Sequence, residues 1–130
     1  MVLDSSALLA ILLDEPERKS FIDSIEASAQ RSMSVVSLVE SGIVLESRRG
    51  SSASSVLDAF VMRAGIEVVS VDAEQGRAAR QAFSRFGKGR HAAGLNFGDC
   101  FAYALAHTTG DPLLYKGNDF SKTDVASADY

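Results

Sequence analysis

Short apolar runs alternate along the chain with longer stretches in which apolar residues recur at helical spacing. The runs predict strands at residues 1–3, 32–36, 66–71 and 112–115. The third is the clearest, because its β-branched residues favour extended backbone. A further edge strand is predicted at residues 123–126.

The stretches between these runs carry apolar residues at every third or fourth position, which is typical of helices. They predict helices over residues 7–13, from about 17 to 29, 37–49, 52–63, from 72 to about 86, and from 96 to about 109. Regular alternation of strands and helices favours a parallel sheet covered by helices on both faces. We therefore expect an α/β fold, with residues 1–130 forming a single domain.

Composition agrees with one compact domain. The chain has 130 residues, of which 46% are hydrophobic and 23% charged. Its lone Cys100 cannot form an internal disulfide, and no signal segment is recognisable, so we expect a cytoplasmic protein. The longest apolar run, residues 7–13, is too short to cross a bilayer, so no membrane association is expected.

Three carboxylates stand apart from other charges. Asp4, Glu40 and Asp99 each lie in apolar surroundings, with no other charged residue within five positions. A buried carboxylate without a partner costs several kcal/mol, ~3–5 when a pair is broken. In a parallel α/β sheet the three side chains would converge at one edge, where a shared divalent cation would compensate them.

Helix capping is the alternative for each of these acids. A cap accepts hydrogen bonds from free amides at a helix start and needs no metal. It does not exclude metal binding. Asp4 is a candidate N-cap, Glu40 a candidate third-position partner of Ser37, and Asp99 the equivalent partner of Asn96.

A fourth acid, Asp119, follows the last strong strand and would reach the same edge. The basic neighbours Lys116 and Lys122 make an ordinary surface turn the alternative. Oxygen ligands without a His or Cys cluster favour Mg²⁺ or Mn²⁺ over zinc. Motifs of P-loop proteins, α/β-hydrolase serine enzymes and zincins are absent from the sequence.

Basic residues are concentrated in one stretch of this acidic protein, whose formal net charge is −4. Residues 75–98 contain no Asp or Glu but include Arg77, Arg80, Arg85, Lys88 and Arg90. Lys88 and Arg90 lie in a glycine-punctuated loop that can fold toward a phosphate backbone. A solvated basic face without a ligand is the alternative.

Five segments together resemble the PIN-domain ribonucleases, in particular toxins of the VapC type. They are VLDSSAL at residues 2–8, MSVVSLVE at 33–40, GKGRH at 87–91, GLNFGDC at 94–100 and LLYKGND at 113–119. The resemblance covers essentially the whole chain. It implies a metal-dependent endoribonuclease that hydrolyses RNA, with tRNA or rRNA as the expected substrate, through water activated by one or two Mg²⁺ or Mn²⁺ ions.

Carried over by position, the resemblance implies an acidic quartet of Asp4, Glu40, Asp99 and Asp119. Asp4 and Asp99 are the expected direct metal ligands, and Ser6 the hydroxyl beside the metal. For the fourth acidic position, Asn118 and Asp124 remain alternatives to Asp119.

The resemblance also implies protein partners: a cognate antitoxin that docks on the helices after the first strand, and a second copy of the chain in a homodimer. The apolar residues at 7–13, Phe21, Ile25 and the helix that follows Ser52 fit such contacts, while packing in the core is the alternative that explains most of them. Two other functions remain open. One is a PIN-like module that binds RNA or a partner without cutting. The other is a phosphate-ester hydrolase with an aspartyl nucleophile, which would want a second acid near Asp4.

Overall fold

A computed structural model describes all of residues 1–130. Four short strands form its sheet: β1 (Val2–Leu3), β2 (Ser32–Ser34), β3 (Glu67–Val69) and β4 (Leu113–Leu114). All neighbours are parallel, in the order β3-β2-β1-β4. Val2 lies in register with Ser32 on one side and with Leu113 on the other. The predicted parallel sheet is confirmed.

Six helices cover the sheet: α1 (Ser5–Leu12), α2 (Arg18–Ala27), α3 (Val35–Arg49), α4 (Ala53–Arg63), α5 (Ala73–Phe86) and α6 (Phe97–Thr109). Successive strand residues point to opposite faces. Val2 accordingly packs in the core with α5 and α6, and Leu3 in the core with α1 to α4. Helices therefore lie on both faces, as the alternation of elements predicts.

Several predicted elements differ from the structure. Strand β2 ends at Ser34 rather than at residue 36, and α1 begins at Ser5 rather than at residue 7. Helix α3 begins at Val35 rather than at residue 37, because the hydroxyl of Ser34 accepts the amide of Val36 and caps it. The predicted edge strand at 123–126 does not form. A 3₁₀ turn occupies Phe120–Lys122, and Ser127 alone makes a bridge to Leu113.

Part of the apolar surface expected to face partners is core. Phe21 and Ile25 are buried on the α1 to α4 side of the sheet. Core packing, the alternative for these two residues, is therefore confirmed, because helical spacing identifies an apolar face without saying what covers it. On α4, by contrast, Val56 is exposed and borders a groove with Leu12 and Phe60.

The carboxyl ends of the central strands set the position of the polar side chains. β1 ends at Leu3 and is followed at once by Asp4, while β2 runs directly into α3. β4 ends at Leu114, and its amide-to-carbonyl ladder continues through a hydrogen bond from Asp4 N to Leu114 O of 2.9 Å. No helix in the structure is long and apolar enough to span a membrane.

Candidate active site

Asp4 is the N-cap of α1, so the capping alternative for this residue is confirmed. Its Oδ2 accepts hydrogen bonds from the amide of Ser6 at 3.0 Å and from the hydroxyl of Ser6 at 2.6 Å. Its other oxygen, Oδ1, is buried and has no hydrogen-bond partner. Capping therefore uses only half of this carboxylate.

Burial raises the pKa of Asp4 above its ordinary value, and the nearby charge of Glu40 raises this pKa further. The hydrogen bonds from Ser6 act in the opposite direction without outweighing burial. A buried carboxylate with an unpaired oxygen needs a proton or a cation to compensate its charge. This is the strongest sign in the structure that Asp4 faces a positive ligand.

Glu40 reaches the same place from the second turn of α3. The hydroxyl of Ser5 donates a hydrogen bond to its Oε1. Gly98, in the first turn of α6, lies against the carboxylate of Glu40. A Cβ at position 98 would overlap that carboxylate. Three helices therefore meet around this side chain. The alternative role of Glu40 as a capping partner of Ser37 is wrong, because Ser34 is the cap of α3.

Asp99 forms the predicted capping box with Asn96. The Asp99 amide donates to Asn96 Oδ1 at 2.9 Å, and the Asn96 amide donates to Asp99 Oδ2 at 3.0 Å. Burial nevertheless raises the pKa of Asp99 to about 6, and the charges of Asp4, Glu40 and Asp119 add to the increase. The structure thus places Asp4, Glu40 and Asp119 within electrostatic reach of Asp99.

The three candidates for the fourth position differ in their surroundings and charge. Asn118 is exposed and carries an uncharged amide. Asp119 is exposed just before the 3₁₀ turn and faces the cluster closely enough to affect Asp99. Asp124 is committed elsewhere, since it accepts the Tyr103 hydroxyl at 2.6 Å and pairs with Arg85 at 3.2 Å. The Tyr103 hydrogen bond is the main reason that the pKa of Asp124 is lowered. These contacts favour Asp119 over Asp124.

The donor set suits a hard divalent cation, because it consists of carboxylate and hydroxyl oxygens. Nowhere in the chain do three His, Cys, Asp or Glu side chains form a ready-made set with metal-ligand geometry. The fit therefore rests on the unpaired Asp4 Oδ1 and on the shared charge of the four acids. Among the four acids, Asp4 and Asp99 have raised pKa values, because both are buried and lie near other carboxylates.

Ser6 lies between Asp4 and the segment after β4. Its hydroxyl donates to Asp4 and accepts the amide of Lys116 at 2.9 Å. The ammonium group of Lys116 pairs in turn with Glu15 and Glu17 in the connection between α1 and α2. This network fixes the segment that carries Asp119 against the start of α1.

The two predicted phosphate-binding residues form no salt bridge with these carboxylates. Lys88 and Arg90 are both exposed in the loop between α5 and α6. The guanidinium of Arg90 lies 5.6 Å from the centre of the Phe83 ring. Neither side chain makes a salt bridge.

Sequence reasoning missed Ser5, Gly98 and Lys116, which support the acids through contacts across the chain. A weak signal exists for Gly98, because glycine is a poor helix former and its presence in a helical turn indicates close packing. No local signal marks Ser5 or Lys116, whose partners lie 35 and 110 residues away.

The sheet, its helices and the acidic cluster define a small α/β protein whose site is built from carboxylates at the carboxyl edge of the strands. A family model described as PIN domain matches residues 1–126. The chain belongs to the PIN-domain family and, within it, to the VapC ribonucleases. "Ribonuclease VapC" of Mycolicibacterium smegmatis is 51% identical over 127 residues, which cover 98% of each chain.

Solved structures share the fold. VapC20 of Mycobacterium tuberculosis, described as a sarcin-ricin loop cleaving toxin, superposes with a TM-score of 0.80 at 17% identity, over 99% of this chain and 98% of its own. VapBC2 from Rickettsia felis, bound to a DNA fragment from its promoter, gives 0.78 at 15% identity, over 97% and 94%. The resemblance to VapC-type PIN domains is therefore confirmed, and these structures show the common fold.

Proposed function

We propose that this protein is the toxin of a toxin-antitoxin pair and a metal-dependent endoribonuclease that hydrolyses RNA phosphodiester bonds. The observation that carries the proposal is the unpaired, buried Oδ1 of Asp4 within a cluster of four carboxylates. Kinship with the VapC ribonucleases supports the reaction type. Residues 1–130 act in this proposal as one nuclease domain.

Asp4 and Asp99 hold the cation, for which Mg²⁺ or Mn²⁺ is the best chemical match. When bound, such a cation lowers the pKa of a coordinated water and stabilises negative charge on the phosphate. Both carboxylates have raised pKa values, so a cation relieves an existing electrostatic cost there. Asp119 adds negative charge at the exposed side of the cluster.

Two hydroxyls position the acids. Ser6 occupies Asp4 Oδ2 and leaves Oδ1 free to face the cation. Ser5 occupies Glu40 Oε1, so Oε2 of Glu40 is the atom available to accept a proton from the attacking water. Gly98 supplies the space in which that oxygen lies.

Lys88 and Arg90 contact the RNA backbone on either side of the cleaved bond. Both are exposed and free of salt bridges, so their charges are available to phosphates. Contacts of this kind position the substrate without reading its sequence. Cleavage is therefore expected to weaken as the salt concentration rises.

The antitoxin docks on the groove between α1 and α4, where Leu12, exposed Val56 and Phe60 offer an apolar surface. A homodimer uses the exposed Val39 and Ile43 on α3.

The lone, buried Cys100 fits a reducing compartment, and we place the protein in the cytoplasm with its RNA substrate.

Incubation of the antitoxin-free protein with total tRNA and rRNA tests the function. Discrete fragments are expected with Mg²⁺ or Mn²⁺, and none with EDTA or with the Asp99→Asn variant. Sequencing the fragment ends then identifies the cleaved RNA. Intact RNA, from folded protein that binds the metal, would contradict the proposal and favour the non-cutting binding module.

A further inference from the structure

A cavity lies between α5 and the first turns of α6, next to the acidic cluster but lined by none of its carboxylates. Its volume is about 730 Å³, within the range of roughly 300–1,000 Å³ found for ligand clefts. Its wall is both aromatic and cationic. The relevant lining residues are Arg77, Arg80, Phe83, Phe97, Cys100 and Phe101.

Phe97 is the unusual member of this wall. It is the first residue of α6, and 75% of its surface is exposed. The ring of Phe101, one turn further along, packs edge-on against it with the ring centres 4.9 Å apart. Phe97 is thus supported from one side and open on the other, which is the arrangement of a stacking platform for a flat ligand.

The cations of the wall have no acidic partners. Arg77 and Arg80 are exposed near neighbours on one face of α5, and neither makes a salt bridge. No Asp or Glu occurs from residue 75 to residue 98. The cavity is therefore a positive region on a protein of net charge −4, and its complementary ligand is anionic.

The cavity adjoins the acidic cluster at Phe97. This residue also borders a smaller, largely apolar groove whose lining includes Val39, Glu40 and Gly98. An occupant of the cavity therefore lies next to the position of Glu40. A ligand that carries flat aromatic groups on an anionic backbone matches the aromatic and cationic wall, and single-stranded RNA is such a ligand.

We propose that this cavity binds one unstacked nucleobase of a single-stranded RNA segment, stacked on Phe97, while Arg77 and Arg80 contact the flanking phosphates. This inference rests on the proposed ribonuclease function and adds to it a position at which the RNA is held. Stacking accepts every base, so the cavity selects unpaired RNA more than a particular nucleotide.

The test measures RNA binding by full-length Asp99→Asn protein, in which cleavage is suppressed. The probes are short single-stranded oligoribonucleotides with the fluorescent base 2-aminopurine at each position in turn. Phe97→Ala and Arg80→Gln are compared with the matched controls Met62→Ala and Arg48→Gln, which change exposed residues of α4 and α3. Light scattering gives the molar mass of every variant.

Phe97→Ala is expected to weaken binding by about tenfold or more and to abolish quenching at one position of the probe. Arg80→Gln is expected to weaken binding and to reduce the slope of log affinity against log salt by about one. The two controls are expected to bind as the parent does. Since Phe97 is mostly exposed, its variant should keep the parent's thermal unfolding curve.

Three results would overturn the inference. If the parent binds RNA and Phe97→Ala binds it equally well, the cavity is not a base site, although the ribonuclease function stands. If Phe97→Ala loses RNA only together with a fall in molar mass, this face is a contact between two copies of the chain. If the parent binds no RNA, the proposed function and the base site fail together.

Discussion

The hydroxyl of Ser6 donates a hydrogen bond of 2.6 Å to Oδ2 of Asp4. The same hydroxyl accepts the amide of Lys116, so it joins the end of β1 to the segment after β4. It also decides which oxygen of Asp4 stays unpaired. We therefore propose Ser6 as a positioning residue, whose removal is expected to weaken metal binding without removing a carboxylate.

Ser6→Ala is expected to lower the affinity for Mn²⁺ by about 10–100-fold, the usual effect of losing an outer-shell partner of a metal ligand. Loss of the acceptor for the Lys116 amide should also cost about 1–3 kcal/mol in the free energy of unfolding. Calorimetric titration and denaturant unfolding measure these two effects. Ser6→Thr, which keeps the hydroxyl, should restore the affinity.

Ser47→Ala is the matched control for Ser6→Ala. The Ser47 hydroxyl donates to a carbonyl in α3 on the exposed side of the helix. This variant should bind Mn²⁺ as the parent does. Equal affinity in Ser6→Ala and the parent would show that Ser6 does not orient Asp4.

Asp99→Asn is expected to stabilise the metal-free protein by about 1 kcal/mol, a usual gain when a strained functional group is replaced. Burial and the charges of the three other acids oppose ionisation of Asp99, and an amide oxygen can still accept the Asn96 amide. Unfolding in EDTA measures the gain. Mg²⁺ should raise the melting temperature of the parent much more than that of the variant.

Asp23→Asn is the control for this prediction, because Asp23 is exposed and pairs with Lys19 at 2.6 Å. It should leave the response to Mg²⁺ unchanged. A loss of stability in Asp99→Asn in EDTA would contradict the view that the acidic cluster is destabilising without a cation.

The metal-free protein should change in stability with pH because of Asp99. Its pKa in the folded protein is about 6, above the ordinary value of 3.8. The folded state therefore binds the proton more tightly than the unfolded state, and this group lowers stability as the pH rises from about 4 to 6. At pH values above the pKa of Asp99 in the folded protein, the free energy of unfolding has been lowered by the full amount due to this group.

Unfolding in EDTA between pH 4 and 7.5 measures this dependence, and carboxyl NMR titration measures the pKa itself. The parent should lose stability relative to Asp99→Asn across the lower part of this range, with the difference levelling off above the folded pKa. Parallel stability curves for the two proteins, or an NMR pKa near 4, would contradict the prediction.

Gly98→Ala is expected to reduce RNA cleavage although alanine favours helices. Its Cβ would overlap the carboxylate of Glu40, which must then leave its place and its hydrogen bond from Ser5. The displaced group is the end of a flexible side chain, so the protein should still fold. Cleavage rate and thermal unfolding, measured on the same samples, separate the two effects.

Gly42→Ala provides the comparison within a helix. A Cβ there meets only Leu57, at an ordinary contact distance of 3.6 Å. It should raise the free energy of unfolding by about 0.5–1 kcal/mol and leave cleavage unchanged. If Gly98→Ala cleaves RNA as fast as Gly42→Ala, the position of Glu40 is not important for the reaction.

Local signals in the sequence predicted the four strands and six helices that form, together with a strand at residues 123–126 that does not. They also singled out three of the acids as candidates. Asn96 and Asp99 form the predicted capping box, and α3 ends at Arg49, the predicted last residue. The boundary error at α3 came from Ser34 and Ser37, which are equally good caps in isolation. Only the turn from β2 into the helix decides between them.

The sequence by itself determined the fold class and the isolation of Asp4, Glu40 and Asp99, because burial periodicity and the cost of an unpaired charge are readable within a few residues. Tertiary structure decided the order of the strands and the pairing of Asp124 with Tyr103 and Arg85, which favours Asp119 as the fourth acid.

Tertiary structure also decided which oxygen of Asp4 has no hydrogen-bond partner and that Phe97 is exposed. These features depend on how helices and loops far apart in the chain pack against one sheet, and no local pattern contains that packing.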